Sequence, residues 1–176
     1  MCIRDRVNTC CFINDAKEES VNTILEMAEY KKTGKCKALV VTGCMAQRYK
    51  EEITQEIPEV DAVLGTTSYG DIVKALNEVQ AGHVFQEFRD INELPEDSGR
   101  RVLTTGGHFG YLKIAEGCDK HCTYCIIPSL RGSFRSVPEE RLLAQAEYMA
   151  SQGVKELILV APVSYTHLTL PTKLEV

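Results

Sequence analysis

The sequence predicts an α/β protein built as two successive units, and three observations predict it. Short β-rich runs alternate with stretches of helical period through residues 7–81, the rhythm stops between 82 and 108, and one more strand, helix and strand pattern runs from 109 to 161. Such alternation is how helices layered on a parallel sheet look in sequence, because each crossover helix covers the strands it joins. The expected architecture is a three-layer α/β unit over 7–81, a linker over 82–108 and a single βαβ unit over 109–161.

In the first unit, Val7 to Thr9 reads as the end of a strand. Asp15 to Lys32 follows, with Val21, Ile24, Leu25 and Ala28 on one helical face behind an acidic first turn. Ala38-Leu39-Val40-Val41 is apolar throughout, the pattern of a strand covered on both faces, and a polar helix from about Ala46 to Glu56 precedes Pro58. Val60 to Gly65 and Ile72 to Val79 repeat strand and helix.

Residues 82–108 hold scattered charges, Pro95, Ser98 and the Gly106-Gly107 pair, with no sustained period. Beyond them Tyr111 to Ala115 reads as a strand. A helix is expected from about Pro138, which suits the first helical position, to Ser151; Gly153 ends it and Glu156 to Val160 supplies the returning strand.

Composition fits a globular chain: 176 residues, 44% hydrophobic and 26% charged. The longest apolar runs are far too short to span a bilayer, and no basic start leads into an apolar stretch, so the expectation is a cytoplasmic protein with no membrane contact. Net charge is -5, with eight basic and twelve acidic residues in 7–81 and six of each in 111–161. Without a basic stripe, composition offers no electrostatic support for wrapping a nucleic acid and leans toward a basic partner.

Eight cysteines without an export signal point to metal or redox chemistry rather than disulfides. Cys118-Asp-Lys-His-Cys122-Thr-Tyr-Cys125 follows a predicted strand, where α/β folds carry ligand sites. Three thiolates at CxxxCxxC spacing can hold three irons of a cubane and leave the fourth without a protein ligand. In radical enzymes S-adenosylmethionine occupies that open iron, and an electron from the cluster cleaves it to a 5'-deoxyadenosyl radical. Rival readings are a zinc site completed by His121 or His108, a thioredoxin-like pair at Cys122 and Cys125, or buried structural thiols; none predicts all three cysteines, because zinc sites favour paired CxxC spacings and a redox pair does not need Cys118. Tyr124 within the loop reads as a cofactor neighbour that excludes water or, at least as readily, as core.

From Tyr111 to Pro138, YLKIAEGCDKHCTYCIIPSLRGSFRSVP resembles the cluster loop of the radical S-adenosylmethionine methylthiotransferase family. VNTC at Val7 to Cys10, the following FINDAKEESVNTILE, and VTGCMAQRY at Val41 to Tyr49 resemble that family's amino-terminal domain. The resemblance covers about residues 7–161, and IIPSLRG at Ile126 to Gly132 resembles the branch that modifies an aspartate of ribosomal small-subunit protein 12.

The resemblance implies two 4Fe-4S clusters and S-adenosylmethionine. Cys118, Cys122 and Cys125 would hold the radical-generating cluster, with Tyr124 near the cofactor; Cys10 and Cys44 match two of three ligands of a second cluster that carries sulfur. The parent enzyme would add a methylthio group to the β-carbon of that aspartate, drawing electrons from a flavodoxin or ferredoxin and acting as a monomer. A transfer RNA methylthiotransferase and a non-catalytic zinc-binding module are the alternatives.

Taken alone, Cys10 and Cys44 would read as small buried hydrophobes. Cys36 lies outside the matched positions, and Arg131 and Arg135 read as solvated surface residues. His108 reads as a loop histidine.

The family also has a cysteine ahead of Val7 that this chain lacks, Cys2 being too near Cys10 to serve, and Cys11 stands where the family has glycine. Residues 1–6 and 162–176 read as non-native flanks. The second unit would then be the first βαβ of a truncated radical-SAM, partial TIM-type barrel with exposed apolar faces, and the chain as written would be inactive.

Overall fold

The structure, a computed structural model, describes residues 3–34, 36–95, 101–105 and 107–162. Cys2 and residues 163–176 lie outside these, so the readings of Cys2 and of nearly all the terminal flank do so as well.

The first unit is a four-stranded sheet, parallel throughout, in the order β1 (Ile3–Thr9), β2 (Cys36–Gly43), β3 (Ala62–Leu64), β4 (Phe85–Glu87). α1 (Asn14–Lys32), α2 (Cys44–Arg48), α3 (Lys50–Glu56) and α4 (Ile72–Gln80) make the crossovers. Alternation along β2 divides the core. Leu39 and Val41 face Ile24, Ala28, Met45, Ala46, Ile53 and Val63, whereas Val40 faces Ala62, Leu64 and Ala75 with the half-buried Ile72, Leu76, Val79 and Phe85. A strand buried on both faces needs apolar residues at every position, which is what the Ala38 to Val41 run provides. The result is the expected helix, sheet, helix layering.

Lys31, at the end of α1, pairs with Asp61 at 2.6 Å while Asp61 accepts the Leu39 N–H at 2.9 Å. One carboxylate thus fixes the helix end and the start of β3 to β2.

The second unit has one parallel pair, β5 (Phe109–Lys113) with β8 (Glu156–Val160), joined through α6 (Glu139–Ser151). Met149 of α6 is fully buried against Leu112 and Val154. The two-residue strands β6 (Ala115–Glu116) and β7 (Arg135–Ser136) pair antiparallel, and α5 (Ile127–Arg131) lies between them in sequence.

Several expectations change. β1 starts at Ile3, inside the stretch read as a non-native flank, and pairs with β2 from there on. The span read as linker contains β4, a three-residue edge strand too short to show a period. The same span also docks on the second unit: Asn92 Oδ1 accepts the Ser133 N–H at 3.0 Å, and Arg135 donates to the Ile91 carbonyl at 2.8 Å. Leu25 is exposed, and Ser20 takes the buried place on α1 with Ile24 and Ala28. The single helix expected from Ala46 to Glu56 is broken at Tyr49, whose φ of -115° and ψ of 42° leave the helical region. Pro138 sits one position before the first helical residue of α6, with ψ of 140°.

Candidate cysteine sites at the junction of the two units

Cys10 and Cys44 are brought together by strand register. Thr9 pairs with Gly43 at the carboxyl ends of β1 and β2, so the next residue of each strand is a cysteine at the same sheet edge. The close approach requires glycine at 43. Its φ is +99°, and a Cβ there would stand 2.4 Å from the Thr9 carbonyl oxygen. The Thr9 hydroxyl donates to the Thr42 carbonyl at 2.6 Å and accepts the Ala46 N–H at 3.4 Å, locking both turns. Ser20 Oγ reaches across from α1 to accept the Cys10 N–H at 3.1 Å.

Cys44 and Cys11 are buried in the core of the first unit, and Cys10 is half-buried. Burial pushes the Cys44 thiol up from its ordinary range, although the Arg131 guanidinium beside it pulls the other way. Burial also raises Cys11, reinforced by Cys44 nearby. Cys36 is buried at the opposite end of β2, its thiol donating to the Ala38 carbonyl, in keeping with an ordinary core cysteine.

The Cys118 loop leaves β6 through Gly117, at φ +71° and packed so closely that an added Cβ would fall 1.9 Å from the Ser133 carbonyl oxygen. Cys118 donates its N–H to the Gly132 carbonyl at 3.0 Å, and Asp119 Oδ1 accepts the Phe134 N–H at 2.9 Å. These bonds fasten the start of the loop to the segment after α5. Cys118 is buried, Cys125 half-buried and Cys122 exposed. The Cys118 sulfur accepts the Lys120 N–H at 3.3 Å, and Cys125 closes a turn onto the Cys122 carbonyl at 3.0 Å. All three are free thiols.

Among the described residues no three His, Cys, Asp or Glu side chains converge closely enough to hold one metal ion. The three thiols of the loop do not form such a group in this structure. The donor set suits an iron–sulfur cluster: three free thiols in one short loop, one already receiving a backbone N–H of the kind that stabilises a thiolate.

Tyr124 is 90% exposed and belongs to neither unit's core in this structure. His108 stacks edge-on against Phe109 at 5.0 Å, and its carbonyl accepts the Lys155 N–H.

Arg131 and Arg135 are not solvated surface residues. The Arg135 guanidinium caps backbone carbonyls of Ile91 and Arg131. Arg131 has only 19% of its side chain exposed and stands 3.6 Å from Glu116, itself buried and also paired with Lys113. Burial alone would lower the Arg131 pKa, but Cys44, Tyr69 and Glu116 around it hold it above its ordinary value. The Tyr69 hydroxyl is raised, chiefly by burial. Glu116 and Tyr69 carried no sequence signal, because a lone Glu before a motif and a lone Tyr after a Ser have no period or spacing.

A cavity of about 360 Å³ opens at the carboxyl ends of β5 and β8, lined by Phe12 of the first unit and by Lys113, Ile127, Arg131, Val160, Ala161 and Pro162 of the second. Its walls are apolar apart from two cationic side chains, and it adjoins the elements that carry both cysteine sites.

Two family models match this chain: the uncharacterized protein family UPF0004 over residues 6–65, and the radical SAM superfamily over residues 112–172. The second match runs into the stretch read as a terminal flank. The ribosomal protein uS12 methylthiotransferase RimO of Lachnoclostridium phytofermentans is 64% identical over 155 residues, 88% of this chain and 35% of that protein. Proteins of the same name from Clostridioides difficile and Clostridium botulinum strain Hall are 50% and 48% identical over the same shares. The chain belongs to the radical SAM methylthiotransferase family.

The chain spans about a third of the length of the curated relatives it matches. The radical SAM match itself implies S-adenosylmethionine and iron–sulfur chemistry, for which the Cys118 loop lies inside the matched residues. No helix among the described residues is long and apolar enough to cross a membrane.

Proposed function

We propose that this chain contributes both cysteine sites of a longer methylthiotransferase that adds a methylthio group to the β-carbon of an aspartate in ribosomal small-subunit protein 12. The observation that carries the reading is the Cys118-Cys122-Cys125 loop, three free thiols directly after a strand end within the radical SAM match. The names of the relatives support the substrate.

In this reading Cys118, Cys122 and Cys125 hold one 4Fe-4S cluster, and Cys10 and Cys44 supply two ligands of a second. When bound, the first cluster supplies the electron that cleaves S-adenosylmethionine. The backbone bonds at Cys118 and Asp119 keep the loop fastened to the rest of the second unit, and the apolar walls of the adjoining cavity limit water. In this reading Tyr124, between two ligands and exposed, would cover what binds there. A radical route suits the substrate, because no side-chain base removes so weakly acidic a proton from an aspartate β-carbon.

The domain reading that accompanies this takes 7–81 as the amino-terminal domain and 109–161 as the start of the radical SAM domain. We place the working protein in the cytoplasm, as a monomer fed by a flavodoxin or ferredoxin.

Anaerobic reconstitution with iron and sulfide should give a brown chain, and replacing Cys118, Cys122 and Cys125 by alanine should remove the charge-transfer absorption of that loop. Tight zinc retention with no S-adenosylmethionine binding contradicts the reading. For the substrate, mass spectrometry of ribosomal protein and transfer RNA from a strain lacking the gene should find the aspartate unmodified; loss of a methylthio group from transfer RNA instead assigns the RNA substrate.

A further inference from the structure

We propose that Arg131 is a positioning residue shared by the two cysteine sites, a single buried guanidinium that ties Glu116, at the root of the Cys118 loop, to Cys44 on the amino-terminal unit. The proposal extends the reading above, which assigns those cysteines as ligands.

The geometry starts with α5. Cys125 is followed almost at once by this helix, and its Leu130 is buried in the core of the first unit beside Met45 and Ile53 rather than in the core of the second. The Leu130 carbonyl accepts the Thr66 hydroxyl at 2.9 Å, a buried bond between the units. Arg131, the last residue of α5, is thereby carried to the carboxyl edge of the first sheet.

A guanidinium that is four-fifths buried needs partners, since an isolated charge in such surroundings is strongly disfavoured. Its partners come from both units. Glu116 belongs to β6, one residue before the Gly117 hinge, and stands 3.6 Å away. Cys44 and Tyr69 belong to the first unit: Cys44 shares a core cluster with Leu130, the neighbour of Arg131, and α2, which Cys44 begins, packs on α5, so that the thiol and the Tyr69 hydroxyl both act on the guanidinium. Glu116 also has one carboxylate oxygen, Oε2, buried without a hydrogen-bond partner. The carboxylate is thus incompletely satisfied, and the guanidinium is divided between it and the thiol.

Lys113, the other cation on Glu116, is 44% exposed and comes from the second unit. Arg131 is the partner of Glu116 whose helix reaches into the first unit, so it ties the root of the Cys118 loop to the elements that carry Cys44, across the wall of the cavity both sites adjoin. Arginine suits the role because its planar fork can serve two acceptors at once, which a lysine ammonium does less well.

The first test uses the chain without iron, by amide hydrogen exchange on wild type, Arg131→Gln, Arg131→Lys and Cys44→Ala. Arg131→Gln should speed exchange by at least about tenfold in two separate places, α2 at Cys44–Arg48 and β6 with the loop to Cys118, since removing one member of a buried pair strands the other. Arg131→Lys should restore part of the protection at β6 and less at α2. Loosening confined to α5, or equal behaviour of the lysine and glutamine variants, overturns the proposal. If Arg131→Gln does not fold, Cys44→Ala, which leaves the guanidinium intact, decides the matter: faster exchange at β6 supports the tie, and an unchanged β6 refutes it.

The second test reconstitutes wild type and Arg131→Lys with iron and sulfide and follows the reduction potential of the Cys118 loop cluster. The potential should fall in the variant, because a cation held less closely stabilises the reduced cluster less; an unchanged potential counts against the proposal. A chain that takes up no cluster yet shows the paired exchange effect refutes the ligand reading and leaves the tie standing, so the two failures are distinct.

Discussion

The two units solve the burial of a parallel sheet to very different degrees. In the first, every residue from Ala38 to Gly43 is buried, because helices cover β2 on both faces and strands flank it on both sides. In the second, Leu112, Met149 and Val154 are the buried members of the core cluster among the described residues, while Leu157, Leu159 and Val160 of β8 stay exposed. The same apolar strand pattern therefore means stability in one place and an unsatisfied surface in the other. What decides is how many neighbours the strand has, and strand pattern alone does not report that number.

The comparison can be broken at its strongest point first. Leu39→Ala should cost about 2–5 kcal/mol, because the side chain is fully buried and rigid strands limit collapse of the cavity. Leu159→Ala, the same change on the exposed strand, should cost less than about 0.5 kcal/mol. Urea unfolding of the two variants measures both, and equal losses would erase the distinction between the units.

Gly117→Ala probes the hinge into the cysteine loop. With φ at +71° and the Ser133 carbonyl in the way, the substitution should cost at least about 1–3 kcal/mol in backbone strain alone and displace the loop. Limited proteolysis should then cut between Asp119 and Tyr124 faster than in wild type, with the first sheet unaffected.

Ser20→Ala removes the hydroxyl that fixes Cys10 to α1 and should cost about 1–2 kcal/mol, read as a lower urea midpoint. Alkaline pH gives a subtler contrast. Cys11 and Cys44, raised above their ordinary 9.0 by burial in the first unit, stay protonated in the folded chain where the unfolded chain ionises. Their contribution is complete below that value and is lost as pH rises through the higher folded values. Urea midpoints should fall above about pH 9, and Cys11→Ala should flatten the fall.

How much the sequence reveals follows the same line. The strand and helix rhythm of the first unit was legible because both-face burial leaves an unbroken apolar run and a helical stripe. β4 was not, being three residues long at an edge, nor were β6 and β7, whose pairing depends on where Gly117 and Gly132 turn the chain. Leu25 misled because it lies about 100° around the helix from Ile24, off the face that Ser20, Ile24 and Ala28 bury, and Ser20 is held on that face by bonds to Cys10 rather than by hydrophobicity. Cys118, Cys122 and Cys125 were legible by spacing alone. The burial of Arg131 was not, because an arginine after a leucine looks the same whether it meets water or, as here, Glu116 and Cys44 from two units.

The most direct measurement of the central claim is iron and sulfide bound per chain after anaerobic reconstitution, compared between wild type, a variant with Cys118, Cys122 and Cys125 replaced by alanine, and a Cys10→Ala, Cys44→Ala variant. The account predicts that the triple replacement loses the iron and sulfide of a cubane while the double replacement keeps it. Undiminished iron in the triple variant, or none in wild type, would contradict it.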